Sequence, residues 1–110
     1  MEESTMSNAA QPKAVTVIIR ARLRDPATAR QLHDRVTAAT RDQAKAAGDL
    51  THRVFLNPAD PYAFLGIDEW RSADAVQSFA SSPQIADFFG QLFEGAPDVS
   101  VWVPSDWNEW

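Results

Sequence analysis

Asp68, His52 and Trp70 are the residues of this chain whose types best suit chemistry. A carboxylate in a partly dry setting has a raised pKa and can accept a phenolic proton, and an imidazole can do the same near neutral pH. An indole offers a broad apolar face on which an aromatic ring can rest. Phe64, Phe79 and Phe88 would shield such a site from water, and Gly66 would leave room for a ligand or mark a bulge in its strand. Each residue also has a plainer role: Trp70, Phe79 and Phe88 as core, Asp68 as a cap or ion-pair partner, His52 as a hydrogen-bonded edge residue. Neither His52 nor His33 has a second histidine or an acid at metal-ligand spacing, so no metal site is expected. The chain has no cysteine, which removes disulfides, thiolate metal sites and cysteine nucleophiles. Glycine-rich phosphate loops and a serine nucleophile elbow are absent too.

The elements that would position these groups follow from periodicity. From Val15 to Leu23 apolar residues recur at every second position, which predicts a strand with one apolar face; Thr16, Ile18, Arg20 and Arg22 lie on the other. Asp25-Pro26 reads as an N-cap followed by proline at the first helical position, and Gly48 supplies the stop. Leu32, Val36, Ala39 and Ala47 form the helix's apolar side, interrupted by Gln43, with His33 one position off the stripe. Residues 50–70 read as a β-hairpin turning at Asn57-Pro58-Ala59-Asp60-Pro61. Alternation then sets His52, Val54, Leu56, Gly66, Asp68 and Trp70 toward the helices. Arg53, Phe55, Leu65, Ile67 and Glu69 face away. Ser72 caps a short helix over 73–81, and Ser82-Pro83 launches another bearing Ile85, Phe88, Phe89, Leu92 and Phe93. Val99, Val101 and Val103 mark the last strand, with Trp102 on its opposite face.

The order is β-α-β-β-α-β with a broken second helix: an α+β, ferredoxin-like fold with a four-stranded antiparallel sheet and helices on one face. The 110 residues leave nothing to cover the other face, so a homodimer joined through its sheet faces, a dimeric α/β barrel, is expected. Arg20, Arg22 and Arg53 would meet Glu69 across that interface, and the C-terminal tryptophans would reach the partner or fold back on their own sheet edge. Residues 1–12 read as a flexible tail, 13–103 as the domain and 104–110 as a tryptophan-bearing extension. A formal net charge of −5 with no basic cluster argues against nucleic acid. No apolar run approaches the about 20 residues of a membrane span, and the polar N-terminus lacks a secretory leader's apolar stretch, so a cytoplasmic location is expected.

The run Asp68-x-Trp70-x-Ser72, continued by Ala75-Val76, Ser81-Ser82-Pro83, Ile85 and Phe88-Phe89, resembles the antibiotic biosynthesis monooxygenase-like family of the dimeric α/β-barrel superfamily. The resemblance implies a cavity between sheet and helices in which a small aromatic or quinol-like compound is oxidised by dioxygen without cofactor or metal. Trp70 aligns with a pocket-lining tryptophan. The histidine that many members carry nine residues after it is Phe79 here, an asparagine four residues before it is Gly66, and a tyrosine and an arginine elsewhere become Val76 and Gly90. Phe88, Phe89 and Gly90 replace the axial histidine of haem-degrading relatives. On this scaffold the alternatives are a non-catalytic ligand-binding or assembly module and an oxygen-independent cyclase of polyketide type.

Overall fold

The computed structural model describes residues 14–110; the tail expected over 1–12 lies outside them. The elements run β1 (Val15–Arg22), α1 (Pro26–Ala47), β2 (Asp49–Asn57), β3 (Asp60–Trp70), α2 (Ala73–Ala80), α3 (Pro83–Leu92) and β4 (Asp98–Trp102). All pairings are antiparallel and the sheet order is β2-β3-β1-β4, the expected ferredoxin-like arrangement.

Helix boundaries follow local chemistry. Asp25 accepts a hydrogen bond from the Ala27 amide ahead of Pro26, and Gly48 ends α1 at a φ of 125°, where a side chain would be strained and would press on Arg71. Ser72 and Ser82 each accept from the amide three residues on, at Ala75 and Ile85, so the second helical region starts twice. The hairpin turn is tighter than expected. Asn57 pairs with Asp60 around Pro58-Ala59, and the Asn57 side chain accepts from the Ala59 amide.

Strand register sets the faces. Val15, Val17, Ile19 and Ala21 lie opposite Trp70, Asp68, Gly66 and Phe64, so all eight point toward the helices. Two buried clusters result, Leu23–Ala29–Phe64–Leu92–Phe93 at one end and Val15–Val17–Trp70–Val76 at the other, with Ile19 touching both. On α1 the inward residues are Ala29, Leu32, His33, Val36, Thr40 and Ala47, while Ala39 is exposed, contrary to expectation. A spacing of three and four from Ala29 selects Thr40 instead, whose hydroxyl donates to the Val36 carbonyl and so enters the core satisfied.

Among the described residues no layer covers the opposite sheet face. Ile18, Leu65 and Ile67 are half-buried there, and Phe55 and Trp102 are 36% and 57% exposed. Glu69 meets Thr51, Arg22 pairs with Asp60 at 3.1 Å, and Arg53 lies over the Phe55 ring, so Arg22 and Glu69 already have partners within the chain. Beyond β4, Trp107 and Trp110 are exposed and do not fold back on the sheet.

Candidate functional site

Between sheet and helices lies a cavity of about 490 Å³ whose lining includes Trp70, Phe64, Phe79, Phe88, Asp68 and His52. Every residue singled out from the sequence, Gly66 included, borders this one space.

Its aromatic side is held by packing. Trp70 is 5% exposed, and its ring centroid lies 5.2 Å from that of Phe79 on α2 at a tilt of 48°. Phe64 meets Phe93 at 4.9 Å, and Phe89 meets both Phe88 and Phe93. Such tilted pairs hold aromatic walls in fixed positions. Gly66 pairs in regular register with Ile19 and Val54, so it is no bulge. A Cβ there would stand 3.2 Å from the Phe64 ring, so the glycine makes room for that ring as well as for the cavity.

The polar side is a chain of hydrogen bonds. His52 Nδ1 lies 2.9 Å from Asp68 Oδ1, a cross-strand pair that the register dictates. His52 Nε2 lies 2.9 Å from His33 Nε2 on α1, and His33 Nδ1 lies 3.0 Å from Asp34 Oδ1. The two imidazole planes differ by 18° with centroids 5.0 Å apart; with the nitrogens this close, the rings meet edge to edge, not face to face. Asp68 raises the pKa of His52 chiefly through this hydrogen bond and also through its charge, against an opposing effect of burial.

Asp49 completes the polar side. Burial, then its hydrogen bond with Asp68 and the charge of Asp68, push its carboxyl up to about 8 despite Lys45 nearby. Its Oδ1 is buried without a hydrogen-bond partner, which suits a neutral acid better than an anion. Asp49 therefore holds a proton beside Asp68. The site combines an aromatic binding surface with a carboxylate that accepts from an imidazole and from a neighbouring acid. That equipment can remove a proton from a bound hydroxyl or activated C–H group.

Two of these contacts escape strict alternation. Strand β2 has a register shift between Asp49 and Thr51, so Asp49 pairs with Trp70 and faces inward with His52, three residues away. A period of two sends Asp49 outward. His33 sits on the inward stripe of α1 because that stripe runs through Ala29 and Thr40, not Ala39. The usable signals were Asp49 directly after a helix-ending glycine and the His33-Asp34 dipeptide. Among the described residues no cluster of three or more metal-ligating side chains could hold a metal ion, and no helix is long and apolar enough to cross a membrane.

Solved structures share the fold. SnoaB, a cofactor-independent oxygenase from Streptomyces nogalater, superposes with a TM-score of 0.66 at 19% identity, over 86% of this chain and 95% of its own. Rv0793 from Mycobacterium tuberculosis gives 0.62 at 21% identity, over 88% and 100%. PA3566 from Pseudomonas aeruginosa gives 0.61 at 19%, over 86% and 97%. No curated protein matches the chain in sequence. At such identities the structural likeness establishes the fold alone, whereas residues 14–91, most of the chain, match the sequence pattern of one family from β1 to near the end of α3. The chain belongs to the antibiotic biosynthesis monooxygenase family.

Proposed function

We propose that this chain is a cofactor-independent monooxygenase acting on a small aromatic or quinol-like compound bound beside Trp70. The observation that carries the reading is the placement of Asp68 and His52, 2.9 Å apart, on an aromatic cavity of about 490 Å³. Trp70 positions the substrate ring, Asp68 accepts its proton with His52 in support, and Phe64, Phe79 and Phe88 exclude water. Gly66 keeps the floor of the cavity low.

The resulting anion is electron-rich enough to reduce dioxygen itself. At a methylene carbon flanked by aromatic rings, the two C–H bonds are replaced by a C=O bond. One oxygen atom enters the product and the other leaves as water with both hydrogens. The four electrons that reduce dioxygen come from that carbon, so no external reductant, flavin or metal is consumed. Membership of the family and the shared fold of a cofactor-independent oxygenase support this reading.

The functional unit is a homodimer. The uncovered sheet face, with Ile18, Leu65 and Ile67 half-buried and Trp102 exposed, is the surface that a second copy would cover.

Oxygen uptake tests the activity. With a simple anthrone or hydroquinone, wild-type protein consumes one dioxygen per product formed, above the protein-free rate. Asp68→Asn slows turnover about 10²–10⁴-fold, the usual effect of losing a positioned base. Undiminished uptake in both Asp68→Asn and Trp70→Phe overturns the site, and product formed equally well without oxygen points to a cyclisation enzyme.

A further inference from the structure

We infer that His33 and Asp34 extend the His52–Asp68 pair into a proton path that releases one proton to solvent as Asp68 takes the substrate's. This inference rests on the monooxygenase reading for the proton's source, but the path itself stands on its own geometry. Three contacts of 2.9, 2.9 and 3.0 Å join Asp68, His52, His33 and Asp34 without a gap. The side chain at the cavity end, Asp68, is 13% exposed; that at the far end, Asp34, is 61% exposed. A proton taken up at the first can be matched by one released from the last.

Proton counting shows that the chain is continuous. Ionised carboxylates only accept, so each imidazole must present N–H at Nδ1 to its aspartate. The facing Nε2 atoms then share one further proton. Three protons on two rings leave one positive charge between two carboxylates, and that excess proton is the one to be passed on. When His33 Nδ1 yields its proton to Asp34, the bridging proton shifts from His52 to His33. His33 thus takes a proton at Nε2 and gives one up at Nδ1, while His52 gives one up at Nε2 and keeps its Nδ1 proton. The same hops in reverse reload the pair from solvent once Asp68 has returned its proton to the departing water, so no ring has to turn.

A metal bridging the two rings would need a different spacing. Two nitrogens each about 2.0–2.1 Å from a tetrahedral zinc stand roughly 3.3 Å apart with their rings at an angle. The observed 2.9 Å, with rings edge to edge and nearly coplanar, fits a shared proton. The groups around the path are few. The hydrogen bond from His33, and less so Arg30 at 3.6 Å, holds the Asp34 carboxyl low, Thr37 Oγ1 lies 3.4 Å from His33 Nε2, and the Phe88 ring comes in from α3. Asp49, Lys45 and Arg41 border the cavity on the same side.

The test has two arms. In the substrate-free protein, ¹⁵N-histidine NMR should show one proton shared between the two Nε2 atoms, seen as a coupling between the facing nitrogens, and His33→Phe should abolish it. Absence of any coupling between the rings, or equimolar zinc seizing both Nε2 atoms, overturns the path. In the kinetic arm, with an anthrone, His33→Phe and the surface substitution Asp34→Asn should lower kcat about tenfold at unchanged KM, and added imidazole should restore His33→Phe. Unaltered kcat in Asp34→Asn across the pH profile also overturns it. Should wild-type protein consume no oxygen, the monooxygenase reading falls, and the NMR arm alone decides whether the path exists.

Discussion

The Trp70–Phe79 side of the cavity is held by close packing, whereas the His33–His52–Asp68 side is held by hydrogen bonds along a single file. Removing part of the first leaves a void in a core cluster, so its cost is structural. Removing a link of the second leaves the core intact and interrupts proton transfer. One cavity therefore has a wall that the fold depends on and a wall that the chemistry depends on.

The largest separation of the two comes from paired substitutions. Trp70→Ala should lower unfolding stability by about 3–5 kcal/mol in denaturant melts, because Trp70 packs on Val15, Val17 and Val76. His52→Gln should change stability by less than about 1 kcal/mol while lowering kcat about 100-fold. If the two variants lose stability equally, the contrast is wrong.

Next comes the uncovered face. Ile67→Asp, which puts a charge among Ile18, Leu65 and Phe55, should turn a sedimenting dimer into monomers at micromolar concentration. A wild-type monomer at that concentration would remove the dimer.

A smaller effect sharpens the polar side. Asp49 keeps its proton to about pH 8 when folded, against an ordinary value of 3.8. The folded state therefore binds more protons between those values, and stability falls as pH rises across that window. Solvent reaching this half-exposed group screens the effect to about 1–2 kcal/mol, so Asp49→Asn should flatten the slope and gain that much at pH 8. An unchanged pH slope would show that Asp49 is ionised. The smallest effect is Gly66→Ala, about 1 kcal/mol of stability, since the Phe64 ring 3.2 Å away must shift.

The fold was legible because its signals are local. Asp25-Pro26, Gly48, Ser72 and Ser82-Pro83 mark helix ends through hydrogen bonds to neighbouring amides, and alternation in β1 and β3 fixes which residues face the helices. The aromatic wall was legible for the same reason, as Trp70, Gly66 and Phe64 share one strand face. The polar wall was only half legible. Asp68 and His52 are brought together by regular cross-strand register, but Asp49 turns inward through a register shift at Leu50, announced only by its place directly after the helix-ending Gly48. His33 meets His52 only through the tertiary docking of α1 on the edge strand, and an alanine-rich helix offers several competing stripes. The extension bearing Trp107 and Trp110 was expected to reach a partner subunit or to fold back on its own sheet edge; in the single chain both indoles are exposed, so they do not fold back.

The central claim is that Asp68 deprotonates a substrate that then reduces dioxygen directly. Turnover of an anthrone under ¹⁸O₂, followed by mass spectrometry, tests it most directly. The account predicts one labelled oxygen per wild-type product molecule and at least about 100-fold less labelled product per unit time from Asp68→Asn. Unlabelled product, or labelled product formed as fast by Asp68→Asn, would contradict it.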